Sequence, residues 1–395
     1  MKAKIVIFLI FAFGLLNAQN EGLINYYPDS YTVARENFRK KATEIQQQYP
    51  SAQFLTLKIP SKIDTDLTLD ILYIPPKNKQ RLIIISSGVH GVEGFTGSAI
   101  QLMIMDRYLN DTLLQNTGFL FLHALNPYGY KYLRRVTENN VDLNRNSTTI
   151  DTIYNIVNKG YAQIYDFINP TGEVNLHSCL HACFFLRALN VVRKNSIPVL
   201  RQAILQGQYQ YPDGLYYGGK APEPQIKMLT PILDTTIKPY KLVMEIDLHT
   251  GYGKRGMLHL FPNPLPKDKR TLVENVFQGY HIDWGDEKDF YTTTGDFIDY
   301  IGQIAHNKKY IPMTFEYGTM NSQTTIGSIK SLHIMIMENQ GFHYGYKHRR
   351  DSIRVMHKFI EMYYPSSEKW KRQVMNETIQ MFGRVIPRFV NYPLN

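Results

Sequence analysis

The sequence contains little cysteine and no sign of subdivision, and each absence excludes a class of protein. Only Cys179 and Cys183 occur among the 395 residues, which excludes a fold built on a disulfide framework. No internal repeat or Pro/Ser-rich linker interrupts the chain, and no Gly-x-Ser-x-Gly segment follows a candidate strand, which argues against a serine hydrolase. The composition, 44% hydrophobic and 20% charged, predicts one globular domain with a large core.

Long apolar runs are also absent, apart from one at the N-terminus. The segment MKAKIVIFLIFAFGLLNAQ combines two lysines, a short apolar run and the small residue Ala18. This pattern is typical of a secretory signal peptide, and the run is shorter than the roughly 20 residues of a membrane span. We expect residues 1–18 to be a signal peptide. Residues 19–395 would then be exported, to the periplasm or beyond, without stable membrane insertion; an uncleaved anchor is the alternative.

Acidic residues are outnumbered, since 34 acidic against 44 basic residues give a formal charge of +10. Such an excess favours an acidic substrate or surface, although a merely basic exterior explains it equally well. No run of basic residues is long enough to predict nucleic-acid binding.

The apolar segments that are present predict an alternation of strands and helices. QFLTLKI and DLTLDILYI alternate apolar and polar residues and predict a pair of strands, whereas RLIIISS and GFLFLHAL are continuous runs typical of strands buried on both faces. YKLVMEIDLH, GMLHLF and YIPMTFEYG predict further strands, with helical segments between them. This order indicates an α/β fold with a mixed or mostly parallel central sheet. A functional site is expected beyond the carboxyl ends of the strands.

Ionisable residues stand at three of those strand ends. His90 and Glu93 follow RLIIISS within SSGVHGVEGFTGSA, His249 closes one later strand, and Glu316 closes another. Two histidines and a glutamate are a ligand set of catalytic zinc, and the glycines around the first pair allow a sharply turned loop. The sequence therefore predicts zinc held by His90, Glu93 and His249. Glu316 is the carboxylate that would accept a proton from water.

Arginines and amides follow another predicted strand, in NPYGYKYLRRVTENNVDLNRN. Asn144 and Arg145 suit a substrate carboxylate, because a guanidinium binds one through two parallel hydrogen bonds. Arg134 or Arg135 is available to stabilise a developing oxyanion. The alternative for this segment is a solvent-exposed turn with surface arginines.

The motifs GVHGVEG, NPYGY, VDLNRN, DLHTG and TFEYG, in this order from Gly88 to Gly318, resemble those of the zinc carboxypeptidase family, and most closely a poorly characterised bacterial branch of it. The resemblance implies a three-layer α/β/α domain with a mixed sheet of about eight strands, followed by C-terminal helices. It also implies one zinc ion per chain and specific roles for eight residues. These are His90, Glu93 and His249 as ligands, Glu316 as general base, Arg135 as the oxyanion arginine, Asn144 and Arg145 as the carboxylate site, and Tyr291 over the substrate.

The expected function is that of a secreted zinc metallohydrolase that cuts a peptide or a small amide next to a free carboxylate. The segment from Asp151 to Gln225 does not align with well-known carboxypeptidases, so their side-chain specificity does not transfer. A zinc-dependent deacylase of small N-acyl compounds and a non-catalytic binding protein of the same fold are the alternatives. A second metal cluster is also conceivable in HSCLHAC, where His177 and His181 alternate with the two cysteines.

Overall fold

The computed structural model of the chain describes residues 22–284 and 293–394. The predicted signal peptide and its boundary at residues 18–19 lie outside these residues. None of the described helices has the length and hydropathy that crossing a bilayer requires.

A mixed sheet of seven strands forms the centre of the molecule, in the spatial order β1-β2-β4-β3-β5-β7-β6. The strands β4, β3, β5 and β7 are parallel to one another, while β1, β2 and β6 pair antiparallel at the two sides. The α/β prediction is confirmed; the described sheet has seven strands where about eight were expected. The strand bounds are β1 Gln53–Lys58, β2 Thr68–Ile74, β3 Arg81–Ser87, β4 Thr117–His123, β5 Leu242–Gly251, β6 Leu258–Phe261 and β7 Lys309–Gly318.

Helices surround this sheet and connect its parallel strands. Short helical turns at Gly91–Glu93 and Leu143–Arg145 lie at its carboxyl edge. The α-helices are α1 Tyr31–Gln48, α2 Gly94–Tyr108, α3 Pro127–Lys131, α4 Lys159–Ile168, α5 Cys179–Ala182, α6 Phe184–Lys194, α7 Ile197–Leu205, α8 Pro224–Ile237, α9 Lys267–Val276, α10 Phe297–Ile304, α11 Thr325–Tyr344, α12 Arg349–Tyr363 and α13 Glu368–Asn391.

Alternation along the central strands produces two cores, one on each face of the sheet. In β3, Ile83 and Ile85 belong to the core shared with α2 and α13, whereas Leu82 and Ile84 face the core shared with α8 and α10. Successive side chains of a strand point to opposite faces, so a continuous apolar run fills both cores. The result is the expected three-layer α/β/α arrangement.

A third apolar cluster lies outside these layers. It joins α4, α6 and α7 to α11 and α12. The first three helices belong to the segment after Asp151 that resembles no well-known carboxypeptidase sequence. These helices line a cavity that is also lined by His90, Glu93 and His249.

Candidate metal centre

Glycines shape the loop that carries His90 and Glu93. Gly88 directly follows β3 and has φ +71°, a left-handed conformation that side chains disfavour. A Cβ atom on Gly91 would lie 2.0 Å from the backbone of Gly129, so only glycine allows this approach. The backbone N–H groups of the next turn, at Gly91 and Val92, donate to the carbonyls of Arg135 and Arg134. The ligand loop and the arginine loop are therefore one hydrogen-bonded unit.

Strand register positions the other two residues. His249 on β5 is paired with Glu316 on β7, and Ser87 at the end of β3 is paired with Leu248. Because β3, β5 and β7 are parallel neighbours, their carboxyl ends meet at one edge of the sheet. His249 therefore lies beside the loop after β3.

The structure brings the three predicted ligands together. The ligand atoms of His90, Glu93 and His249 all lie within 4.8 Å of one another, and the three side chains are buried. The two Nδ1 atoms are 3.1 Å apart, and each lies close to a Glu93 oxygen, at 2.9 Å from His90 and 3.0 Å from His249. A backbone N–H from Thr250 donates to the same carboxylate over 2.9 Å and fixes its orientation.

Carboxylates behind the two rings determine which nitrogen faces the centre. His90 Nε2 is 3.1 Å from Asp142, and His249 Nε2 is 2.6 Å from Asp247. An ionised carboxylate can only accept, so Nε2 of each ring can donate its proton to the aspartate behind it, and in a neutral ring Nδ1 is then left with a lone pair. In this tautomer two lone pairs and the Glu93 carboxylate face one another, a set of donor atoms that fits a bound cation. This is also the arrangement in which protein histidines bind zinc, with a carboxylate fixing the tautomer.

The charges of the surrounding side chains also favour a bound cation at this centre. Although burial opposes ionisation, His90 and His249 hold the pKa of Glu93 below its usual value. Burial likewise opposes the ionisation of Asp142, but Arg135 and His90 keep its pKa well below the usual range. Burial also disfavours the charged form of His249, yet Asp247 and Glu93 raise the pKa of that ring well above its usual value. The buried carboxylates thus favour positive charge at this point.

Residues 27–377 match the family described as a protein of unknown function, DUF2817. The chain belongs to this family. No curated protein matches the sequence.

Solved structures similar to this chain include a fibrinolysis inhibitor, a carboxypeptidase A and a succinylglutamate desuccinylase. Bovine thrombin-activatable fibrinolysis inhibitor in complex with tick carboxypeptidase inhibitor is 17% identical, with 84% of this chain and 98% of that chain covered and a TM-score of 0.43. Carboxypeptidase A from Helicoverpa armigera is 14% identical, with 81% and 71% covered and a TM-score of 0.38. A succinylglutamate desuccinylase from a Silicibacter species is 12% identical, with 74% and 67% covered and a TM-score of 0.37.

The two adjacent arginines have different surroundings. Arg135 lines the cavity at the centre, donates from Nε to Asp142 over 3.1 Å, and has a terminal nitrogen 3.6 Å from Glu93. Arg134 forms a buried ion pair with Glu338 at 2.7 Å and is absent from the cavity lining. Of the two candidates for the oxyanion arginine, the structure places Arg135 at the centre.

Glu316 also lines the cavity, beside the ligands and not among them. Its Oε1 accepts a hydrogen bond from the backbone N–H of Tyr252 over 2.9 Å. Burial, together with the nearby charge of Glu93, raises the pKa of Glu316 to about 8. A carboxylate with a pKa near neutrality can accept and return a proton at physiological pH.

Asn144 and Arg145 lie in the same cavity and are held firmly. Asn144 accepts a hydrogen bond from the backbone of Phe297 over 2.9 Å. The Arg145 guanidinium donates to the carbonyls of Leu205 and of Asn144 itself, using three of its five N–H groups among the described residues. The guanidinium is thereby fixed in orientation at the cavity wall. Tyr291 lies outside the described residues, so its predicted place over the substrate stays a prediction.

The second metal cluster considered for HSCLHAC does not form in the described part of the chain. There, no group of three or more His, Cys, Asp or Glu side chains other than the His90 centre comes close enough to share an ion. His181 instead stacks on His333 and lies 3.2 Å from its Nε2, while the sulfurs of Cys179 and Cys183 are 3.6 Å apart. His177 precedes α5, and its Nε2 lies 3.3 Å from the Arg350 guanidinium.

Sequence reasoning missed the residues that orient the ligands. Asp142 and Asp247 both lie within the quoted motifs, and Asp247 precedes His249 by two residues, the spacing that places both on one face of a strand. That spacing could have identified Asp247. Asp142 lies seven residues after Arg135 but 52 residues after His90, and no local spacing reveals that it contacts both.

Proposed function

We propose that the protein is an exported zinc-dependent hydrolase that cleaves a peptide or amide bond next to a free carboxylate. The observation that carries the proposal is the convergence of two imidazole Nδ1 atoms and the Glu93 carboxylate, with each Nε2 bound to an aspartate. Export is proposed from the sequence of residues 1–18 alone. The buried arginines and the general base support catalysis over mere binding, because a binding protein has no use for a proton acceptor beside the ligands.

His90, Glu93 and His249 would hold the metal. A zinc ion in such a site polarises a carbonyl oxygen and lowers the pKa of a coordinated water. Glu316 accepts a proton from the water as the water oxygen bonds to the carbonyl carbon, and it returns this proton to the amide nitrogen, after which the C–N bond breaks and releases an amine and a carboxylic acid. Arg135, kept in place by Asp142, stabilises the negative charge that develops on the carbonyl oxygen.

Asn144 and Arg145 would bind the substrate's carboxylate. The N–H groups of Arg145 that the backbone does not use are available for two charge-assisted hydrogen bonds. Because the guanidinium is already fixed, little conformational entropy is lost when a carboxylate binds. This arrangement supports a free acid as the natural substrate.

A deacylase of small N-acyl compounds is the second candidate, and the size of the cavity favours it. The cavity has a volume of about 290 Å³ and is bounded by helices from the segment after Asp151. That volume is near the lower end for small-molecule sites. It suits an N-acyl amino acid or the last residues of a peptide.

Hydrolysis by the zinc-loaded protein tests the proposal. The substrates are peptides with free and with amidated C-termini, together with N-acyl amino acids, and the Glu316→Gln variant is the control. We expect the wild type to cleave free acids of at least one substrate class, peptides or N-acyl amino acids, in a metal-dependent reaction. The Glu316→Gln variant should lose this activity. Cleavage that survives metal removal, or no cleavage of any free acid by a protein with about one zinc per chain, would refute the proposed function.

A further inference from the structure

The cavity that contains the ligands continues along a wall of aliphatic side chains. This apolar wall consists of Ile164 on α4, Val191 and Val192 on α6, Ile204 on α7, and Leu332 and Met335 on α11. These residues line the same cavity as His90, His249 and Glu316. Whatever the metal centre acts on therefore has access to the wall.

Tyr216 connects the wall to the arginines. Its ring lies 5.3 Å from the Arg135 guanidinium and 5.6 Å from that of Arg145, and its hydroxyl contacts the Met335 sulfur at 3.4 Å. The apolar wall is thus contiguous with the residues proposed to bind the carboxylate and the oxyanion. A single small molecule can therefore contact the apolar wall, Arg135 and Arg145.

Backbone contacts fix the helices of the wall against the site. Arg145 holds the carbonyl of Leu205 at the end of α7, and the hydroxyl of Tyr209 donates to the carbonyl of Arg145 over 2.8 Å. The side-chain amide of Asn158 donates to the carbonyls of Ala203 and Gly207. The wall is therefore a built part of the site, with a fixed position relative to Arg145.

The side chains of the apolar wall belong to the third apolar cluster or pack against it, and the surface that they present to the cavity is stabilised when an apolar group covers it. We propose that the substrate carries an aliphatic chain of several carbons, which lies against the apolar wall while the metal centre acts on the adjacent amide. This inference rests on the proposed function for the reaction, and the wall defines the substrate class. The chain is either the acyl group of an N-acyl amino acid or the side chain of a peptide's last residue.

Binding to the full chain carrying Glu316→Gln, with zinc, tests the inference without turnover. Two series are titrated by calorimetry: N-acylglycines from acetyl to dodecanoyl, and N-acetylglycyl peptides whose last side chain lengthens from glycine to 2-aminooctanoic acid. We expect the Kd of one series to fall by about fourfold per added methylene until the cavity is full. The series that responds identifies the source of the chain. A Kd that is constant within twofold along both series would overturn the inference.

A matched pair of variants on α6 and one variant on α7 test whether the aliphatic chain binds at the apolar wall. Val191→Trp fills the cavity and should weaken binding of the longest ligand at least tenfold, with acetylglycine unaffected. Leu189→Trp introduces the same bulky ring at a side chain that is 42% exposed on the same helix, and it should alter the binding of neither ligand. Ile204→Ala enlarges the cavity and should move the plateau to longer chains. Equal effects of Val191→Trp and Leu189→Trp, or an unmoved plateau, would overturn the inference that the aliphatic chain lies against the apolar wall. Hydrolysis by the wild type remains a separate test of the proposed function.

Discussion

Two regions enclose the cavity, and they are built on different physical principles. The floor consists of the strand ends with His90, Glu93, His249 and Glu316, and its polar atoms are held by strand register, by backbone N–H groups and by buried carboxylates. The roof consists of helices α4, α6 and α7, whose apolar side chains pack against α11 and α12. The floor has the groups proposed to react, whereas the roof lines the cavity mostly with apolar side chains, with Arg201 on α7 as a charged exception. The comparison indicates that chemistry and substrate selection are separable in this fold.

Removing a ligand from the floor should have the largest effect. We expect His249→Ala to lose most of its zinc and with it all metal-dependent hydrolysis, because a lost ligand leaves Asp247 and Glu93 without the ring between them. Metal analysis of purified wild type and variant measures this. Full zinc content in the variant would place the metal site away from the floor.

Glu316→Gln should have the next largest effect, and it should lower kcat without changing the zinc content. Glutamine is nearly isosteric and cannot accept the proton, so we expect kcat to fall by roughly 10²–10⁴-fold. Zinc content should stay at the wild-type level, because Glu316 is not a ligand. A variant with normal zinc and a normal rate would show that another group activates the water.

The floor was largely predictable from the sequence, and the roof was not. His90, Glu93, His249 and Glu316 could be located because each follows an apolar run, and the carboxyl ends of parallel strands meet in space. The segment after Asp151 predicts helices, but apolar residues spaced along a helix do not tell whether they face a core or a cavity. Val191 is an example, since its place in the wall depends on α11, more than a hundred residues away.

The choice between the two arginines was likewise not predictable from local sequence. Arg134 and Arg135 are adjacent and chemically identical, so the sequence leaves the choice between them open. Only their partners distinguish them, Glu338 for the first and Asp142 for the second. Glu338 lies 204 residues from Arg134, and Asp142, seven residues from Arg135, is almost equally close in sequence to both arginines, so spacing assigns neither partner.

Arg135→Ala and Arg134→Ala are therefore a matched pair. Arg135→Ala should lower kcat by about 10²–10³-fold, as expected for a lost oxyanion donor. Arg134→Ala should leave kcat within about twofold and instead lower the free energy of unfolding by about 3 kcal/mol, since it leaves Glu338 buried without its charge partner. Steady-state kinetics and urea denaturation measure the two effects. Similar losses of kcat in both variants would mean that neither arginine acts specifically on the reacting carbonyl.

Among substitutions of residues that line the cavity, Arg145→Ala should have the smallest effect on catalysis. It also tests the contact between floor and roof. If Arg145 binds the substrate carboxylate, charge-assisted hydrogen bonds worth about 1.5–3 kcal/mol are lost, so kcat/KM should fall at least about tenfold for free acids and change little for amidated analogues.

The same variant also releases the carbonyl of Leu205, so a control must loosen the roof without touching the guanidinium. Asn158→Ala does so, because it removes the hydrogen bonds to the carbonyls of Ala203 and Gly207. We expect Asn158→Ala to lower kcat/KM for free acids and amidated analogues by the same factor, whereas Arg145→Ala discriminates between them. If both variants lower the two values equally, Arg145 serves only to attach the roof to the floor. Carboxylate recognition would then have to be withdrawn in favour of a broader amide hydrolase.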